Sequence, residues 1–424
     1  MQSLIIIMTQ REISLSEQSF RGTKCQVCTG CGRCAGTYSV VKTQGLWDKK
    51  LPIPHMAQER LVTVDVGTTT IAMQLYDWDG GVAADFVCVN PQVRFGADVL
   101  SRIRAAQDRI AAEAMRREVT EKLEEGLQTF RAQLEPGETM RMVLAGNPTM
   151  IYLLFGYDPA ELGRAPFRAM HLEAAETEIG DVPCVVIPGL SAFVGGDIAA
   201  GMYACEMAEK PELTLLIDLG TNGEMVLGSR ERRIACSTAA GSAFEGGVNR
   251  GIWGANMVHL LARLRQEKLV DATGLLADPY FEEGILIGSV RVTQESIRAI
   301  QLAKGAIGAG IRILMREYGL GEDWQAISRV VLAGGFGYYL KPEDAAAIGL
   351  LPGALVPKTI AGGNTALAGA LRLGRLLWAQ ESPGAGQSRM RKLPELLGIL
   401  GTEILNLAEH PDFQELYIGN LNLE

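Results

Sequence analysis

An α/β protein built from two similar halves is the fold the sequence predicts, and three observations carry that reading. From Leu61 onward, short apolar runs ending in glycine turns alternate with helix-periodic stretches. One turn is written twice, as Asp65-Val-Gly-Thr68 and Asp218-Leu-Gly-Thr221, which points to a repeated unit. At 424 residues the chain is also too long for one ordinary core.

Taken in order, residues 1–40 are a cysteine-rich segment, and residues 41–60, with Gly45, Lys49, Lys50, Pro52 and Pro54, read as a linker. The first half, 61–205, opens with a β-rich run at 61–66 that ends in the loop of Gly67, Thr68, Thr69 and Thr70. A long, charged helical stretch follows at 99–134, then strands at 142–145 and 185–188. The second half, 206–375, contains a strand at 213–219 ending in the second turn and another at 330–333 ending in Gly334-Gly335-Phe336-Gly337. Residues 376–424 read as a helical or mixed tail against the second half.

Hydrophobic residues make up 47% and charged ones 21%, the balance of a soluble globular protein. A formal charge of −9 argues against nucleic acid as a main partner, because phosphate binding needs a dense basic surface. The apolar run at 4–8 is too short for a membrane span and lacks the flanks of a secretory signal. A cytoplasmic, thiol-reducing location is therefore expected, with no membrane partner.

The repeated turn has a definite chemistry. A strand delivers an aspartate to the mouth of a sheet, a glycine bends the chain, and the following residues offer N–H and hydroxyl donors to an anion. The first copy offers Gly67, Thr68, Thr69 and Thr70; the second offers Gly220, Thr221, Asn222 and Gly223. Two such turns facing each other clamp a triphosphate, with Asp65 and Asp218 orienting Mg2+ through its water shell. Gly334, Gly335 and Phe336 suit close approach by a base or ribose. Gly241 to Gly247, including Glu245 and Gly246, offers an opposite wall, and Lys304 on a helical stretch is expected to flank the base. One such loop alone is an ordinary tight turn; two in order with a Gly-Gly-Phe-Gly loop indicate an ATP cleft.

Cys25, Cys28, Cys31 and Cys34 stand at a uniform spacing of three, as in the ferredoxin run that holds an iron–sulfur cluster of the four-iron type. Structural zinc is the alternative, although zinc sites draw their cysteine pairs from well-separated turns. Cys34 or a distant residue closes the cluster; the spacing leaves both open. Cys88, Cys184, Cys205 and Cys236 lie in apolar settings and read as buried packing.

The order of motifs resembles the superfamily of sugar kinases, acetate kinases, heat-shock chaperones and actin. That resemblance implies a two-lobed, actin-like ATPase of duplicated ribonuclease-H-like halves, with hinge helices at 195–201 and 362–366. It also puts Asp197 where an acidic residue acts on Mg2+ or the attacking water; a helix N-cap is the plainer reading of Asp197.

A narrower resemblance rests on Asn90-Pro91-Gln92, Gly96-Ala97-Asp98-Val99-Leu100-Ser101-Arg102 and Gly146-Asn147-Pro148-Thr149-Met150. It continues in 188–195, in Phe244-Glu245-Gly246-Gly247 and in Glu409-His410-Pro411-Asp412-Phe413. From 61 onward the chain is similar to the reductive activators of corrinoid proteins, in a variant with a short four-cysteine head. The resemblance implies an anaerobic ATP hydrolase that passes an electron from its iron–sulfur cluster to a cobalt(II) corrinoid protein of a methyltransferase system, regenerating cobalt(I). It further implies a low-potential electron donor and a homodimer. Competing readings are an activator of the 2-hydroxyacyl-CoA dehydratase type and a zinc-containing, ATP-regulated chaperone-like module.

Overall fold

The computed structural model describes residues 58–239, 254–287, 290–379 and 386–424. The cysteine run and the 241–247 wall lie outside the described residues.

The first sheet has the order β3-β2-β1-β4-β6-β5, with β1 Glu59–Val66, β2 Thr70–Tyr76, β3 Val82–Val89, β4 Thr139–Gly146, β5 Ala175–Ile179 and β6 Val182–Val186. In the second sheet, β7 Thr214–Leu219, β8 Gly223–Gly228 and β9 Arg233–Thr238 form an antiparallel meander like β1 to β3. A hairpin of β10 Ile285–Ile287 and β11 Val290–Val292 stands apart. β12 Arg329–Ala333 then pairs parallel with β7, as β4 does with β1, and β13 Thr359–Gly363 pairs parallel with β12, as β6 does with β4. Five strands of each sheet thus share one pairing plan, and the duplicated turns occupy the same corner of each copy: β1 to β2, and β7 to β8.

The expected helix at 99–134 is two helices, α1 Val99–Ala105 and α2 Arg109–Arg131. The break falls at Asp108, whose carboxylate accepts from the N–H groups of Ile110 and Ala111 and so starts a new helix. α2 buries Met115, Val119, Leu123, Leu127 and Phe130 along one stripe against the sheet. Each such side chain contributes about 1.5–3 kcal/mol as an upper figure.

Further helices are α3 Pro148–Phe155, α4 Gly196–Ala204, α5 Gly254–Gln266, α6 Gln294–Tyr318, α7 Gly334–Gly337, α8 Pro342–Ala347, α9 Thr365–Ala379, α10 Gly386–Leu396 and α11 Phe413–Gly419. α4 and α9 cross between the sheets. Their residues Ile198, Ala199, Ala200, Ala366 and Ala370 share one buried cluster with Val143 and Ala145 of β4 and with Leu216, Val226 and Val331 of the second sheet. The crossing is close: a Cβ at Gly369 would run into the Ala200 carbonyl oxygen.

At its edges the sequence reading shifts. β1 begins at Glu59, inside the span read as linker, and α9 runs past 375. The 376–424 span supplies β14 Glu403–Leu405, which pairs parallel with β9. An open sheet edge leaves backbone groups unpaired, so recruiting the last strand completes the second sheet. α11 lies along α6, where Arg316 pairs with Asp412 at 2.9 Å. No helix among the described residues is long and apolar enough to cross a membrane.

Candidate functional site

Both duplicated turns open onto one cleft. Asp65, Gly67, Thr68, Thr69 and Thr70 line it from the first sheet, Asp218, Gly220, Thr221 and Asn222 from the second. Asp197, Gly334, Gly335, Phe336 and Asn364 line it as well. The Thr69 and Thr221 hydroxyls meet across the gap at 3.1 Å, a hydrogen bond that brings the two loops into direct contact.

The first loop is braced from behind by residues read above only as family motifs. Asn90 is fully buried; its Nδ2 donates to the Gly67 carbonyl at 2.9 Å, and its backbone N–H donates to the Thr69 carbonyl at 2.9 Å. Its Oδ1 accepts from the Gln92 N–H at 3.0 Å, which starts the short helical turn at Pro91–Phe95. Asn90 Nδ2 and Arg102 Nη1 both approach the Met150 sulfur, at 3.4 and 3.2 Å. Residues of three separate motifs therefore form one buried support beneath the first turn. Asn147 lines the cleft and caps α3 by accepting from the Thr149 N–H at 3.0 Å.

Each aspartate is held differently. Asp65 Oδ2 accepts from Asn364 Nδ2 at 2.8 Å, while Asn364 Oδ1 caps α9 by accepting from the Leu367 N–H at 2.8 Å. Asp197 lies in the first turn of α4, where Gly195 is the N-cap residue; its Oδ1 accepts from the Ile198 N–H at 2.8 Å. The N-cap reading of Asp197 is thus off by two residues, yet the side chain still meets the helix N-terminus, whose dipole favours a negative charge. Gly334 sits at φ +82°, and a Cβ there would lie 2.5 Å from Asp218 Oδ1, so this close approach requires glycine.

Sequence reasoning missed Glu224. It stands on β8 directly opposite Asp218 in the hairpin register, is 8% exposed and lines the cleft. The available signal was a carboxylate in an otherwise apolar strand, immediately after the second duplicated turn. Gly223 forms the start of β8 behind this face and is absent from the lining. Lys304 also stands apart from the lining: it is buried on α6, and its ammonium donates to the Asn422 carbonyl at 2.5 Å and the Gly349 carbonyl at 3.4 Å. The side of α6 on which a residue falls is set by packing, which spacing alone does not reveal.

Crowding four carboxyl groups out of bulk water raises all of them. Burial lifts Asp65 to about 7 against the opposing Asn364 hydrogen bond, with the Asp197 charge adding. Asp218 rises to about 8 through burial and then the charges of Asp197 and Asp65. Asp197 rises to about 6 through burial, and Glu224 well above the usual carboxylate range through burial, Asp197 and Asp218. A cation entering such a cluster favours its ionised forms. Among the described residues no three acidic, histidine or cysteine side chains converge tightly enough to ligate one ion. Mg2+ does not need three: it takes one or two carboxylates and fills its shell with water and phosphate oxygens, so the donors present fit it.

A family model described as the RACo middle region matches residues 61–210, and one described as the C-terminal domain of RACo, the ASKHA domain, matches 212–251 and 248–424. The chain is 28% identical to the corrinoid activation enzyme RamQ of Eubacterium limosum, over 85% of this chain and 69% of that protein. It is 24% identical to a Co(II) methylated amine-specific corrinoid protein reductase of Methanosarcina barkeri, over 58% of this chain and 53% of that one. A solved reductive activator for a corrinoid, iron–sulfur protein superposes with a TM-score of 0.74 at 27% identity, over 87% of this chain and 66% of that one. The chain thus spans between about half and just over two thirds of the length of these relatives. With the two matched regions running end to end through both lobes and the cleft between them, this chain belongs to the RACo family and carries that family's ASKHA domain.

Proposed function

We propose that the protein is an ATP-dependent reductive activator of a corrinoid protein, returning cobalt(II) to cobalt(I) for methyl transfer. One observation carries the reading: in a chain of the RACo family, two phosphate-binding turns from opposite lobes face each other with Thr69 and Thr221 at 3.1 Å.

In this reading the backbone N–H groups and hydroxyls of 67–70 and 220–222 hold the triphosphate, and Gly334, Gly335 and Phe336 receive the adenosine. Mg2+ would supply charge neutralisation at the phosphates, held through its waters by the cleft carboxylates. Asp197, fixed by the Ile198 N–H, is positioned to orient the attacking water or the cation shell. Asn364 grips Asp65 with one end of its amide and caps α9 with the other, so loop contacts are transmitted to the helix that crosses α4. A two-lobed cleft of this kind has the bistable character needed to couple nucleotide to a distant event.

Cys25, Cys28, Cys31 and Cys34 would hold an iron–sulfur cluster, which supplies a one-electron relay between a low-potential donor and the corrinoid. Four thiolates at this spacing suit a compact four-iron cluster better than one tetrahedral zinc ion. The protein acts as a cytoplasmic homodimer in an anaerobic methyltransferase system.

The test is paired. Anaerobically purified protein should contain iron and acid-labile sulfide without stoichiometric zinc, and its ATP hydrolysis should rise when a cobalt(II) corrinoid protein is added. Zinc in place of iron, with hydrolysis indifferent to the corrinoid protein, would favour the chaperone-like module instead.

A further inference from the structure

Duplication makes the two hairpins comparable, and at one place they differ in charge. The residue opposite Asp65 across the first hairpin is Ala72; the residue opposite Asp218 across the second is Glu224. Directly opposed residues of an antiparallel pair project from the same face, with Cβ atoms about 4.5–5.5 Å apart. Glu224 therefore shares Asp218's face, and both line the cleft.

The four carboxylates are not equally committed to the protein. Asp65 is taken by Asn364, and Asp197 by the amides that open α4. Glu224 accepts from the Asn222 side chain and a backbone N–H. Among the described residues, none donates a hydrogen bond to the Asp218 carboxylate. Asp218 is half-buried at the cleft wall, and a carboxylate drawn out of bulk water and left short of donors is costly unless a cation meets it. Asp218 and Glu224 stand side by side on one face of the hairpin, Asp218 without a donor of its own, and that geometry calls for a cation between them.

We propose that Glu224 is a cation-shell residue of the cleft, pairing with Asp218 to hold the divalent ion of the bound nucleotide, so that the ion sits toward the second lobe and Asp65 serves mainly as the interlobe anchor for Asn364. The inference rests on the nucleotide reading above and adds an assignment that the duplicated turns alone do not make. Two carboxylates, with phosphate oxygens and water completing the shell, are what Mg2+ ordinarily takes. The first hairpin, with Ala72 in the matching place, offers no such pair across its two strands.

The experiment uses the full chain and Mn2+ as the probe, read by electron paramagnetic resonance of free Mn2+ in the presence of a non-hydrolysable ATP analogue. Glu224→Gln, which keeps the shape and removes the charge, should weaken Mn2+ binding to the nucleotide complex about 10–100-fold. Cation-free nucleotide binding should stay equal or tighten, since one negative charge has left the cleft. Glu224→Asp should fall between the two, and thermal unfolding should show each variant folded. Wild-type Mn2+ affinity in a folded Glu224→Gln protein would overturn the assignment while leaving the nucleotide reading intact. Failure of the wild-type protein to bind the analogue at all would overturn both.

Discussion

The Asp65 carboxylate and the Asn364 amide, 299 residues apart, meet at 2.8 Å and tie the first duplicated turn to the start of α9. Because the same amide caps α9, the contact links the first turn to the α4–α9 crossing.

Replacing Asn364 by Ala should therefore do two separable things. Loss of the cap costs about 1 kcal/mol of stability. Loss of the grip on Asp65 should weaken nucleotide binding by roughly tenfold, equivalent to about 1.4 kcal/mol. Thermal unfolding reads the first and fluorescent-nucleotide titration the second. An unchanged nucleotide affinity would show that the bridge does not shape the cleft.

Gly334→Ala places a side chain at φ +82° and against Asp218. A left-handed conformation costs a non-glycine residue about 1–2 kcal/mol, and the clash adds to it. Nucleotide affinity should drop by more than the loss of folding stability implies. Gly353→Ala, with nothing within 4 Å of the added carbon, is the matched control and should be neutral in calorimetric titration.

Lys304→Met separates two roles for one residue. The ammonium satisfies the carbonyls of Asn422 and Gly349 and is lowered to about 8, chiefly by burial. Stripping it leaves buried acceptors unpaired, a loss of about 1–3 kcal/mol in chemical denaturation. Nucleotide affinity should hold near wild type, whereas a lysine beside the base would lose it.

The cleft carboxylates also set a pH dependence. Asp65, Asp197 and Asp218 bind protons more tightly folded than unfolded, with folded values of about 7, 6 and 8. Their contribution to stability is complete below the ordinary carboxylate range and is lost as pH rises through 6 to 8. Without cation or nucleotide, the melting temperature should fall between pH 6 and 8.5, roughly the upper span of those titrations. Saturating Mg2+ and ATP analogue should flatten the slope, because the ionised forms are then paired. A slope that persists unchanged would move the cation elsewhere.

What the sequence made legible was what is local. A strand, an aspartate and a glycine turn are neighbours in the chain, so Asp65–Thr68 and Asp218–Thr221 announced the two loops and the pairing plan that repeats around them. Asn90, Arg102 and Met150 were legible only as a resemblance, since their common purpose, bracing the first loop, depends on long-range contact. Glu224 was hidden because one residue of strand register decides whether a side chain faces the cleft or the core. Lys304 was misleading for the helical equivalent of that reason. The break at Asp108 was written in capping chemistry but masked by continuous helical periodicity on both sides.

The most direct test of the central claim is the visible spectrum of a cobalt(II) corrinoid protein mixed under anoxia with the reduced protein, with and without Mg-ATP. The account predicts that cobalt(I) bands grow only when Mg-ATP is present, and that serine at Cys25, Cys28 and Cys31 abolishes them. Cobalt(II) bands that persist with Mg-ATP, in protein shown to hold its cluster and bind nucleotide, would contradict it.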